Sequence, residues 1–214
     1  MNRRQALKNF GLGAGILLVG PSTLSLLQSC KNEPKSNWEP TFLNLSNGFA
    51  LKQILDVIIP KTDTPGANDL NLAQFIDSYM DQVASEEHQQ NFKRSADAFG
   101  RAFKNEFKKD LNKGKEKDFE EIISKYLSAT PEEQETFAKT ETETQDPINK
   151  IPEMKMDPDA GSLSYLKNVR QMAIWAWKTS EEIGENVLWY DPIPGQYIAC
   201  GPVEELGNGM AMSL

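Results

Sequence analysis

The chain is 214 residues long, with 31 acidic against 23 basic side chains and a formal charge of −8. A surface weighted this far toward carboxylates argues against a nucleic-acid partner, which needs clustered lysine and arginine to neutralise phosphate. Two cysteines, Cys30 and Cys200, and one histidine, His88, exclude a multi-bridge disulfide framework, a Cys-x-x-Cys-His haem attachment and any catalytic triad not built on His88.

The chain opens Met1-Asn2-Arg3-Arg4-Gln5-Ala6-Leu7-Lys8, followed by an apolar run from Phe10 to Leu27 and then Gln28-Ser29-Cys30. A basic start, a modest apolar middle and a small residue before a cleavage point describe an export signal. Arg3, Arg4, Leu7 and Lys8 together resemble the twin-arginine signal, which carries proteins across the membrane already folded. That route chiefly serves proteins that acquire a cofactor in the cytoplasm, or that travel with a partner that does. Gly11, Gly13, Gly15, Gly20 and Pro21 interrupt the apolar run, so a permanent spanning helix is the weaker alternative. Ser29-Cys30 resembles a lipoprotein cleavage site, which would make Cys30 the lipidated first residue. The alternative is an ordinary signal with an incidental cysteine. Cleavage after Ser29 removes three of the 23 basic groups and none of the 31 acidic ones, leaving a formal charge of −11.

Residues 30–45 read as a polar tether with Pro34, Pro40 and the isolated aromatics Trp38 and Phe42. Leu51, Ile54, Leu55 and Ile58 lie at helical spacing, so a first helix is expected, capped by Ser46 and closed by Pro60. The loop Lys61-Thr62-Asp63-Thr64-Pro65-Gly66-Ala67 holds a Pro-Gly pair suited to a type II turn. Asp63-Thr64-Pro65 reads as a capped turn, not as half of an aspartic protease. A second helix is expected over 72–83 and a third over 86–111 with Phe92, Ala96, Phe99, Phe103 and Phe107 on its core stripe. His88, at the polar start of that helix, reads as a solvated side chain. A fourth helix carries Phe119, Ile122, Ile123, Tyr126 and Leu127. A short fifth begins at Thr130-Pro131, with Thr130 as N-cap and proline at the first helical position.

Periodicity is lost from Thr140 to Gly161, which predicts a long exposed loop. It returns at Leu163 and continues through Trp175 and Trp177. Two residues apart on a helix, these two tryptophans point roughly 200° apart and cannot share a face. The rest is a glycine- and proline-punctuated arm carrying Trp189, Tyr190, Pro192, Ile193, Pro194 and Tyr197. Cys200 is expected as a buried thiol, with pairing to another subunit as the alternative. Asp157, Asp159, Glu181 and Glu182 read as solvated acids. The expected architecture is mostly α, a single helical domain of about five to six helices over 46–214 with an irregular C-terminal arm.

Three segments together resemble the gluconate 2-dehydrogenase subunit 3 family. They are Ile58-Ile59-Pro60-Lys61-Thr62-Asp63-Thr64-Pro65-Gly66-Ala67 with Phe75-Ile76-Asp77, Thr179-Ser180-Glu181-Glu182-Ile183-Gly184, and Tyr190-Asp191-Pro192-Ile193-Pro194-Gly195. The resemblance implies a small, helical, twin-arginine-exported accessory subunit. It also implies a large partner that is a flavoprotein of the glucose–methanol–choline type, often accompanied by a c-type cytochrome. FAD is then expected in the partner and no cofactor, metal or catalytic residue in this chain. The residues agree on their own terms: there is no Gly-x-Gly-x-x-Gly after a strand and no nucleophile–base pair. The location that follows is the periplasm, held at a membrane through Cys30. Trp175, Trp177, Trp189, Tyr190, Pro192, Pro194 and Tyr197 are the candidate partner-binding residues. A free-standing lipoprotein binding a carbohydrate through exposed tryptophans is the alternative, and an enzyme in its own right is a third, weaker reading.

Overall fold

In a computed structural model, the structure describes residues 38–143, 156–191, 193, 195, 196, 198 and 200–212. The described residues from Glu39 onward form one compact unit. Its described elements are eight α-helices: α1 (Leu45–Ile58), α2 (Leu72–Gln82), α3 (Glu86–Phe107), α4 (Glu116–Leu127), α5 (Pro131–Glu143), α6 (Pro158–Lys178), α7 (Glu181–Asn186) and α8 (Val203–Gly207). A 3-10 turn, Leu111–Lys113, joins α3 to α4. No strand occurs among the described residues, where one isolated bridge joins Trp189 to Met212. The mostly helical domain expected from apolar spacing is the fold observed.

Helix α6 is the axis of the domain and packs against α1, α2, α3, α4 and α5. Its buried face runs from Ala160 and Leu163 through Tyr165, Leu166, Val169, Met172 and Ala173 to Ala176. The opposing stripe on α3 is Phe92, Ser95, Ala96, Phe99, Ala102 and Phe103. Gly161 of α6 faces Ala98 of α3, and a Cβ on Gly161 would collide with that methyl group. Small residues at a crossing let backbones approach and bury more of the flanking aromatics. Tyr165 packs edge-on against Phe92 and tilted against Phe99, with ring centroids 5.2 and 5.6 Å apart.

Several helix ends differ from the sequence expectation. The first helix is capped by Asn44, whose side chain accepts from Asn47 N at 2.9 Å, and not by Ser46. The third ends at Phe107, where Lys108 takes a left-handed conformation (φ 56°). Helix α6 starts at Pro158, five residues before Leu163. Asp157 Oδ1 accepts Asp159 N and Ala160 N at 2.9 and 3.1 Å, and Pro158 occupies the first turn. That turn buries Ala160, Gly161 and Ser162, residues too small or polar to register as an apolar stripe. The fifth helix follows its expected start, with Thr130 and Glu133 capping each other: Thr130 N donates to Glu133 Oε2 at 2.8 Å, and Glu133 N to Thr130 Oγ1 at 3.3 Å.

Two acids read as solvated have structural partners. Asp157 is the cap just described, and Asp159 Oδ1 accepts the Tyr126 hydroxyl at 2.6 Å. Burial, reinforced by the Asp159 carboxylate, pushes the Tyr126 phenol well above its ordinary range. His88 is half-buried, not solvated, with Nε2 3.0 Å from Asn168 Nδ2 on α6. Cys200 is exposed and free, contrary to the buried thiol expected: it lies on the lining of an open cleft in the arm.

Candidate functional site

The loop between α1 and α2 is held by several backbone and side-chain contacts. Ala67 N donates to Ile59 O at 2.9 Å, closing the loop on the end of α1. Gly66 lies so close to the backbone that a Cβ would sit 2.6 Å from Lys61 N and 2.9 Å from Pro60 C. Its φ lies outside the left-handed region, so the type II turn expected from Pro65-Gly66 is not the one formed. The glycine is required by close backbone approach instead. Gly66 N donates to Asp69 Oδ2, and Lys61 Nζ pairs with Asp69 Oδ1, both at 3.0 Å. These contacts hold the Asp69 carboxyl below its usual range, the Lys61 hydrogen bond most of all.

The tip of this loop is fastened to α6, because Trp177 Nε1 donates to Pro65 O at 2.9 Å. Trp177 is therefore half-buried, while Trp175, pointing the other way, is 43% exposed. Trp175 lies against Phe75 and Tyr79 of α2, with centroid separations of 5.4 and 5.5 Å. Phe75 and Tyr79 stack at 6.4 Å, and Phe75 is itself 43% exposed. Three aromatic rings thus form a contiguous, partly solvent-facing cluster, continued on α6 by exposed Ile174. Contiguous exposed apolar groups mark interaction surfaces in a way that scattered ones do not.

On the opposite side of α2 from Phe75 and Tyr79 sits Asp77, a buried carboxylate with four donors. Oδ2 accepts Thr41 N at 2.7 Å, Thr41 Oγ1 at 3.1 Å and Phe42 N at 3.2 Å, and Oδ1 accepts Leu43 N at 2.9 Å. Thr41, Phe42 and Leu43 belong to the stretch read as tether, yet Phe42 and Leu43 are buried against the bundle. In the sequence Asp77 stands in the Phe75-Ile76-Asp77 segment with nothing beside it that assigns it a task. The available signal was a lone acid between buried Ile76 and Met80 on an apolar helix face.

At the far end of α6, Thr179 N and Oγ1 both donate to Trp175 O, at 3.0 and 2.9 Å, and Ser180 Oγ donates to Trp177 O at 2.8 Å. Ile183 of α7 is fully buried. Tyr190 helps to line a small cleft with Lys178, Ser180, Glu181 and Glu185. Pro65, Thr179, Ser180 and Tyr190, described residues of the three segments singled out for their resemblance, therefore meet at the C-terminal end of α6.

The arm divides the remaining candidates. Trp189 is half-buried within the arm: its N–H donates to Ala211 O at 2.8 Å, and its ring lies where a Cβ on Gly207 would meet it at 2.9 Å. Tyr190 is exposed, and Ile193 is 86% exposed. Trp189, Leu206 and Met212 line an open cleft of about 840 Å³ together with Asp191, Gln196 and Glu205. Pro192, Pro194 and Tyr197 lie outside the described residues, as do Arg3, Arg4, Leu7, Lys8 and Cys30. Among the described residues no group of three or more histidine, cysteine or acidic side chains could hold a metal, and no helix is long and apolar enough to cross a membrane.

Among known proteins, a family model described as gluconate 2-dehydrogenase subunit 3 matches residues 48–195, from the first turn of α1 into the arm. No curated protein and no solved structure matches the chain.

Proposed function

The chain belongs to the gluconate 2-dehydrogenase subunit 3 family, and from that premise we propose that it is a non-catalytic accessory subunit of a flavin-dependent sugar or polyol dehydrogenase. In this reading the flavin resides in a large partner subunit, and this chain stabilises that partner. The pair leaves the cytoplasm folded, on the signal of Arg3 and Arg4, and Cys30 then holds it at the membrane through attached acyl chains. The observation that carries the reading is the family match over most of the chain. The meeting of described residues from the three resembling segments near an exposed aromatic cluster supports it, because a subunit that works by association needs such a face.

Export supplies the test. Arginine and lysine differ in donor geometry, so Arg3→Lys with Arg4→Lys is expected to leave both this chain and the flavoprotein in the cytoplasm. Periplasmic flavoprotein at normal levels in that strain refutes the escort role. Cys30→Ala is expected to move the exported complex from the membrane fraction to the soluble fraction with its composition unchanged.

A further inference from the structure

We propose that the solvent-facing stripe of α6, together with Phe75 and Tyr79 of α2, is the surface on which the large dehydrogenase subunit docks, and that the docking face of that subunit is acidic around an apolar centre. The proposal rests on the accessory-subunit reading and adds to it the place and chemistry of the contact.

The charge pattern argues for the occupant. From Ala160 to Lys178, α6 carries Lys167, Arg170 and Lys178 and no carboxylate, in a chain whose formal charge is −8. Lys167 and Arg170 are exposed, and neither forms an ion pair with a described residue. At 100° per residue Ile174 lies between Lys167 and Arg170, while Trp175 lies about 80° from Lys167 on the other side, so the four exposed residues span the solvent-facing half of α6 with Arg170 and Trp175 at its two edges. The solvent-facing half of α6 thus carries its cations on one side and the aromatic cluster shared with α2 along the other edge, in a chain of net negative charge. Complementary potentials set the register and steer the approach of a partner, and large aromatics near the middle carry most of the binding energy.

Two other occupants fit less well. A two-fold contact with a second copy would set Lys167 and Arg170 of both copies on one self-complementary patch, like charge facing like. An anionic lipid surface is read by clusters of roughly four to eight cations, more than this stripe presents. The aromatic rings also pack on one another, Tyr79 edge-on to Trp175 and Phe75 stacked on Tyr79, a shape suited to a complementary protein pocket.

The test uses the complex isolated from its native membranes, dissociated and reassembled from purified subunits, with affinity measured at low and high salt. Trp175→Ala and the pair Lys167→Glu/Arg170→Glu are each expected to weaken binding of the flavin-containing subunit about tenfold or more. The charge-reversed pair should also lose most of the salt dependence. Lys113→Glu/Lys117→Glu, an equal charge change at exposed positions before and within α4, is expected to bind as wild type. Each variant is first shown to keep the wild-type helical circular dichroism and melting temperature. If both face variants bind the flavoprotein as wild type does, the docking face is elsewhere while the accessory role stands. If the wild-type chain has no flavoprotein partner at all, both proposals fall. Binding of the partner-free chain without Cys30 to phosphatidylglycerol vesicles, abolished by the charge reversal, would overturn the proposal in favour of a lipid surface. A partner-free dimer dissolved by Trp175→Ala would overturn it in favour of self-association.

Discussion

Replacing Asp77 should loosen the entry of the chain into the bundle, by an amount the geometry bounds from two directions. In Asp77→Ala the N–H groups of Phe42 and Leu43, both buried, lose their acceptor. Each stranded buried donor costs about 1–3 kcal/mol. If residues 41–43 detach so that these groups reach water, the chain loses instead the burial of the Phe42 and Leu43 side chains, about 1.5–3 kcal/mol each. Either route gives about 4 kcal/mol. The second also removes the Phe42–Phe92 contact and the Lys93 ammonium 4.1 Å above the Phe42 ring. Asp77→Asn tests the same contacts more gently. Its amide oxygen can occupy the Oδ2 position and keep three donors, leaving one conflict between the new NH2 group and Leu43 N, a loss of about 1–3 kcal/mol. Urea unfolding of the chain from residue 31 onward measures both variants, and hydrogen exchange at Thr41, Phe42 and Leu43 reports whether the segment detaches. A loss below about 1 kcal/mol for Asp77→Ala, with those amides still protected, would refute the assignment of Asp77 as the fastening of this segment.

Gly161→Ala gains helix propensity of about 1 kcal/mol, but its methyl group collides with Ala98 across the α3–α6 crossing, so a net loss of about 1–2 kcal/mol is expected; a raised melting temperature would contradict that packing. Tyr165 is fully enclosed and its hydroxyl has no hydrogen-bond partner among the described residues, so Tyr165→Phe should be neutral or stabilising by up to about 1 kcal/mol. A loss beyond 1 kcal/mol in urea unfolding would mean that the hydroxyl is satisfied after all. Asp110 and Asp118 are held below the ordinary carboxylate range chiefly by Lys104 and Lys109 respectively, and Glu133 by the Thr130 backbone and hydroxyl. A depressed native value means that the unfolded chain takes up the proton first. Their contribution is therefore complete above the usual carboxylate range and lost as the pH falls through it. The urea midpoint should drop across that acidic interval, and Asp118→Asn should make the drop shallower.

Helix identity was legible because Leu51, Ile54, Leu55 and Ile58, and the phenylalanines of α3, repeat at a spacing only a buried helical face explains. The first turn of α6 was not legible, since Ala160, Gly161 and Ser162 achieve burial by smallness and close approach, which leaves no apolar stripe to count. Trp175 was singled out correctly as facing away from Trp177, yet its neighbours Phe75 and Tyr79 lie about a hundred residues earlier, and only the packing of α2 on α6 brings them together. Asp77 shows the complementary limit. A buried acid needs partners, but no pattern could say that these would be the backbone of residues 41–43, a segment whose composition reads as solvated.

Purification of the tagged chain from its native membranes, followed by an absorbance scan and a dehydrogenase assay of whatever accompanies it, tests the accessory role most directly. The account predicts a stoichiometric large subunit carrying flavin and all of the sugar or polyol dehydrogenase activity, with a colourless, inactive small chain after dissociation. A chain that emerges without a flavoprotein, or that keeps flavin and activity once its partners are removed, would contradict it.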